Sequence, residues 1–155
     1  MTQKTKDLSA LVFFILLVMG GGIFIGTQTL PGDWFAGLTK PSFNPPNWIF
    51  APVWTVLYLF IAIAGWRSWR QGWTRTPMQL WFVQLVLNFA WSPLFFTAHR
   101  TDLALAVIVL LLVSILIFIT KTWRLDRISA GLFVPYAAWV GFATLLNGAI
   151  FALNG

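Results

Sequence analysis

No cysteine occurs in the 155 residues, so disulfides, thiol chemistry and cysteine-ligated metals are excluded at the outset. Histidine is almost as scarce. The single one, His99, sits in the short connection "TAHRTD", where a solvated interfacial side chain is expected rather than a metal ligand. A zinc site or a ligated haem iron is therefore hard to build. Charge is scarce as well, at 9% of residues against about 25% in a soluble domain. The four acids, Asp7, Asp33, Asp102 and Asp126, all fall at or beyond the ends of apolar runs. No pair of carboxylates can converge for general acid–base chemistry, and no ionisable group lies mid-run, where a proton relay or coupling-ion site needs one. Nucleotide-binding fingerprints are missing too. The glycine-rich "GGGIFIG" lies inside an apolar run, so Gly22 and Gly26 read as a close helix–helix contact rather than a phosphate cradle.

What the chain has instead is hydrocarbon: 59% of its residues are hydrophobic and its mean hydropathy is +0.80. Five apolar runs stand out, at residues 8–26, 47–69, 77–97, 103–122 and 129–153. Each is long enough to cross a bilayer core of about 30 Å, which takes about 20 helical residues. The alternating ten-residue segments of a membrane β-barrel are not seen. The expected fold is therefore an all-α membrane protein, a five-transmembrane-helix bundle forming one domain over residues 1–155. Lys4 and Lys6 precede the first run, but it is longer than a signal-peptide core and no small-residue cleavage site follows, so it reads as a span.

The net charge of +6 follows this topology rather than a nucleic-acid surface. Lys4, Lys6, Arg67, Arg70, Arg75, Lys121, Arg124 and Arg127 fall on one side of the five spans, and only Lys40 and Arg100 on the other. This bias places the N-terminus in the cytoplasm and favours a bacterial inner or plasma membrane, with some attraction to anionic lipid.

Tryptophan is abundant, with ten residues. Trp66, Trp69, Trp73 and Trp123 lie near span ends beside Arg or Lys, as interfacial anchors do, and Trp81 reads the same way. Trp54, Trp91 and Trp139 fall inside spans. Gln84, Asn88 and Trp91 share one helical face at i, i+4, i+7, and Trp139, Ala143 and Asn147 share another at i, i+4, i+8. Helix packing through small residues and amide hydrogen bonds accounts for either stripe alone as well as a pocket does. Together with Trp54 and Tyr58 at i, i+4, they point to a shared aromatic cavity, and Phe50, Phe95 and Leu146 join its expected lining. Pro93 is expected to kink its helix and free a carbonyl nearby.

Between the first two runs lies "KPSFNPPNWIFAPVW", residues 40–54. Pro41 keeps the preceding backbone extended, Pro45 and Pro46 suit the start of a helix, and Asn44 reads as its cap. The result is a stiff aromatic loop, expected to fold over the bundle mouth as a lid.

At these residues the chain resembles the family of tryptophan-rich sensory proteins, TspO, which includes the mitochondrial translocator protein. The matching stretches are "DWFAGLTKPSFNPPNWIFAPVWTVLY", "QLVLNFAWSPLFF" and "VPYAAWVGFATLLN", in the family's order and over essentially the whole chain. The resemblance implies a five-helix bundle, usually a homodimer, with a ligand cavity closed by the first loop. It implies porphyrin-type ligands such as protoporphyrin IX or haem, sterols as in animal members, and synthetic isoquinoline carboxamides and benzodiazepines. By motif position Trp34 corresponds to the loop tryptophan, Trp54 and Trp139 to the cavity tryptophans, Asn88 and Trp91 to pocket residues of the third helix, and Ala143 and Asn147 to the small residue and amide of the fifth. Ser42 and Phe43 stand where some members carry further loop tryptophans, and the C-terminal "LLNGAIFALNG" lacks the sterol-recognition pattern of animal members.

A flat macrocycle would stack on the indoles and hydrogen-bond to Asn88 or Asn147 without metal ligation or any required cofactor, with Lys40 or Arg100 facing propionates at the mouth. The rival readings are a light-dependent porphyrin-degrading enzyme using Trp34, Trp54 and Trp139, and a ligand-regulated scaffold. For a homodimer interface, Gly22, Gly26 and Ala90 are the candidates, and the resemblance leaves an outer membrane open.

Overall fold

A computed structural model describes residues 1–155, most of them in six helices. Five are long and apolar enough to cross a membrane: α1 (Gln3–Gln28), α3 (Asn47–Gln71), α4 (Thr76–Thr97), α5 (Thr101–Thr122) and α6 (Arg127–Asn154). The sixth, α2 (Gly32–Ala36), is a single turn in the loop after α1. The helices extend beyond the apolar runs because their polar ends carry caps. The Thr2 hydroxyl accepts from the Thr5 N–H at 3.2 Å, which starts α1 at Gln3, and Asp126 accepts from the Ile128 N–H at 3.2 Å. Asn44 does not cap α3. Pro46, two residues on, has no N–H to offer it, so the Asn44 amide turns to the Pro45 carbonyl at 3.3 Å and the helix starts at Asn47.

Neighbour contacts run α1–α3–α6–α5–α4 and back to α1, a closed ring of five helices. Two sets of side chains fix which ends lie together. At one end the Trp66 indole donates to the Asp7 carbonyl at 2.9 Å, and Arg67 of α3 grips Asp126, before α6, through two hydrogen bonds of 2.8 and 3.0 Å. At the other, the Asn154 side chain pairs with both the N–H and the C=O of Thr39 at 3.0 and 2.8 Å.

The half of the bundle nearer Asp7 is solid. Phe14, Ile61, Met78, Phe118 and Phe133 pack there around Trp81, all essentially inaccessible. Trp81 is thus a core residue and not the interfacial anchor its position suggested: its indole N–H donates to the Ile61 carbonyl at 2.8 Å, left reachable because Gly65 has no side chain over the ring. Trp73 and Trp123, by contrast, are exposed beside Arg75 and Arg127. In α1 the helix widens by one residue at Leu16–Gly20, ahead of Gly21 and Gly22. A Cβ on Gly21 would lie 2.8 Å from the Phe89 ring, and one on Gly22 would overlap Tyr58, so both glycines serve contacts within one chain.

Gly65→Ala forces the Trp81 ring to move and lowers stability by about 1–3 kcal/mol, whereas Gly20→Ala, with nothing within 4 Å of the new methyl, leaves it equal or higher; thermal unfolding in detergent compares them. Burial raises the Asp126 pKa, but the hydrogen bonds from Arg67 and Ser129 and the Arg67 charge outweigh it and hold the carboxyl below its ordinary value. A lowered folded-state pKa gives stability that is present above the unfolded value and lost as pH falls through the folded one. Asp126→Asn therefore melts lower than the parent at pH 7, and the gap closes in acid below about pH 4.

Candidate ligand cavity

The half of the ring away from Asp7 is hollow. A cavity of about 500 Å³ lies between the helices there, within the roughly 300–1,000 Å³ that suits a drug-sized ligand. All five spanning helices contribute. From α3 come Phe50, Trp54 and Tyr58, successive residues of one stripe; from α4, Asn88, Trp91 and Phe95; from α6, Trp139, Ala143, Leu146 and Asn147. These ten of the twelve sequence-derived candidates line one space. The aromatic groups contact each other around it: Trp54 lies 5.3 Å from Tyr58, Phe50 meets Trp139 edge-on at 5.7 Å, and Trp91 stacks on Phe95 at 5.1 Å.

Gln84 and Trp34 are not in the lining. Gln84 is one turn too deep and fully buried; its carbonyl oxygen accepts from the Tyr136 hydroxyl at 2.8 Å, and Asn88 donates to that same hydroxyl at 2.7 Å. Three polar groups in an apolar interior thereby satisfy one another, tying α4 to α6 beneath the cavity. Trp34 faces sideways: its ring stacks on His99 with centroids 4.2 Å apart and planes 7° from parallel, and meets Phe95 edge-on. His99 is exposed, as expected, yet partnered, and its backbone adopts a left-handed φ of 55°. The adjacent Phe35 is the side chain that the loop turns into the cavity.

The loop covers the hollow end, held at three points: Trp34 on His99, Thr39 on Asn154, and Phe43 against Phe142. Pro41, Pro45 and Pro46 stay outside the lining, and they shape the loop without touching the space below. Pro31 and Leu30 line it instead. At its rim Gly26 of α1 and Asn47 and Ala51 of α3 both line the cavity and are exposed, so it opens sideways between these two helices.

The hydrogen-bonding capacity of the wall differs from expectation. Asn147 is committed: its oxygen accepts from the Trp91 indole at 2.9 Å and its amide donates to the Thr101 carbonyl at 3.0 Å. The Trp139 indole N–H, in contrast, is buried without any partner. Sequence reasoning missed Ile108 and Leu111 of α5, which line the cavity from a uniformly apolar helix with no marker residue, and Phe89 and Ser92 of α4. Ser92 was adjacent to a signalled residue and pairs with the hydroxyl of Thr29, just after α1, at 2.8 Å.

These features define an integral, multi-pass membrane protein with a lidded aromatic cavity inside its helix ring. The profile of the TspO/MBR family matches residues 13–153, and the chain belongs to that family. It is 37% identical to the tryptophan-rich protein TspO of Archaeoglobus fulgidus over 149 residues, 95% of this chain and 96% of that one. It is 34% identical to protein CrtK of Rhodobacter capsulatus, over 92% of this chain and 91% of the relative, and 34% identical to the human translocator protein, over 86% and 83%.

Replacing Tyr136 with Phe removes the shared hydroxyl and strands the buried Gln84 oxygen. The expected loss is about 1–3 kcal/mol. Gln84→Leu in the same background adds less than it does alone, because the stranded acceptor is then gone; thermal unfolding of the two single variants and the double variant measures the coupling.

Proposed function

We propose that the chain is a membrane tetrapyrrole-binding protein that senses, buffers or passes porphyrin-type molecules. The observation that carries this reading is the cavity wall: three indoles, Trp54, Trp91 and Trp139, and the phenol of Tyr58 surround a space of about 500 Å³ with no metal-ligating cluster near it. A flat conjugated macrocycle offers broad faces to such rings. Relatives of this chain are named for sensing and for translocation, which fits a protein that holds a small molecule and hands on its presence. Isoquinoline carboxamides and benzodiazepines fit the same description of a flat apolar ligand with an acceptor.

Topology and assembly complete the proposal. The end bearing Arg67 and Arg70 faces the cytoplasm by its charge, and the lid faces away from it. Assembly is as a homodimer, with Ala90 the small residue left for its seam, because Gly22 is covered by Tyr58 and Gly26 stands at the cavity window. Light-dependent porphyrin breakdown is the second reading, favoured by Trp54 and Trp139 lining the same space.

The test is a tryptophan-quenching titration with protoporphyrin IX in the dark, in detergent. Saturable binding near micromolar, about −8 kcal/mol, is expected for the parent protein. Ala143→Phe, which fills the cavity beside Trp139, weakens it by about tenfold or more. Quenching that never saturates and is equal in both proteins would refute the reading. Illumination of the complex then separates binder from enzyme by new absorbing products, which Trp139→Phe removes if that indole is the reactive one.

A further inference from the structure

The 25 residues lining the cavity include no Asp, Glu, Lys, Arg or His. This is more than general apolarity, because the cations at the lidded end are engaged elsewhere. Arg100 holds Asp102 through two hydrogen bonds of 2.9 and 2.7 Å. Lys40 folds back on its own loop, with its ammonium 4.6 Å above the Phe35 ring and 3.4 and 3.3 Å from the Ala36 and Leu38 carbonyls. The other eight cations belong to the N-terminus and to the α3–α4 and α5–α6 connections, at the far end of the ring. Lys40 and Arg100, the cations expected to face propionates at the mouth, thus both have partners on the protein itself and lie outside the lining.

An ionised carboxylate entering this space loses its hydration and gains no ion pair. What the wall does offer are dipoles: the Asn88 amide and the Tyr58 hydroxyl. Such groups suit the oxygen of an ester, ketone or amide and the nitrogens of a pyrrole ring, and they offer no charge to a carboxylate. We infer that the cavity selects ligands in uncharged form: flat, apolar molecules with neutral acceptors, in preference to the corresponding acids. Where a ligand does carry carboxylates, they remain outside, at the window formed by Gly26, Asn47 and Ala51, while the macrocycle occupies the space behind. This rests on the tetrapyrrole reading for its choice of probe, and it adds the charge state and orientation of what is bound.

The experiment compares protoporphyrin IX with its dimethyl ester, in the dark, in nanodiscs of zwitterionic lipid. Both are titrated against the protein and against protein-free nanodiscs of the same lipid, whose signal measures partition into the bilayer. After that subtraction the ester binds at least about tenfold more tightly than the acid. A cation placed at the window by Asn47→Lys gives departing carboxylates a partner, so the ester-to-acid affinity ratio falls toward one. An acid that binds as tightly as the ester in the parent protein, or a ratio unmoved by Asn47→Lys, overturns the inference. If neither tetrapyrrole saturates, the tetrapyrrole reading fails by itself, and the same comparison is made with pyrenebutyric acid and its methyl ester. Preference for that ester sustains charge selection; preference for the acid, or no saturable binding of the ester, overturns it.

Discussion

The hydroxyl of Tyr136 is the point from which the arrangement of the bundle can be understood. It donates to Gln84 and accepts from Asn88, joining α4 and α6 across the middle of an apolar ring. Neither water nor lipid can substitute for these partners there, so the three side chains fix the relative depth of the two helices. The Asp7 side of this junction packs solidly about Trp81, and on the lid side the helices and a smaller buried cluster of Phe35, Phe95, Ala104, Leu146 and Ile150 enclose the open space. The same stripe of α4 thus belongs to both halves: Gln84 closes the solid core, and Asn88, one turn on, lines the cavity.

A hollow of this size in a protein interior forgoes a great deal of dispersion contact, and the chain compensates at its edges. Asn147 receives the Trp91 indole and donates to Thr101, which holds α4, α5 and α6 together beside the space. Thr29 and Ser92 do the same for α1 and α4. The lid is tied down by aromatic stacking at His99 and by the paired hydrogen bonds of Asn154, contacts that are polar or interfacial and far fewer than those in the core. The sideways opening at Gly26 and Ala51 gives a second route, through the bilayer, for a molecule more soluble in lipid than in water.

How far the sequence alone could reach depended on the kind of signal. The spans were readable because an unbroken apolar run of about 20 residues suits a membrane helix and little else. Their ends were displaced by caps at Thr2 and Asp126 that hydropathy does not weigh. Trp54, Trp91 and Trp139 stood out because each interrupts a span with small or polar company. Trp81 and Trp66 could not be told apart, since both lie near span ends; only Gly65, on the preceding span, shows that Trp81 turns inward. Trp34 and Phe35 presented the mirror problem: adjacent in one turn of helix, they face different ways, and which one enters the cavity depends on where His99 stands. The contribution of α5 was illegible, because Ile108 and Leu111 look like every other residue of that helix.

Cavity, lid and side window have a common purpose only if a flat ligand occupies the space enclosed by the ring and not the lipid-facing surface. Methyl-labelled NMR spectra of the protein in nanodiscs, with and without protoporphyrin dimethyl ester, test this directly, because a macrocycle shifts the resonances of methyl groups lying over its face. The predicted result is large ring-current shifts at Ala143, Leu146 and Ile150, which line the cavity, and none at Val86 and Leu145, which face outward. Shifts of equal size at the outward-facing methyls, or none at Ala143, would contradict it.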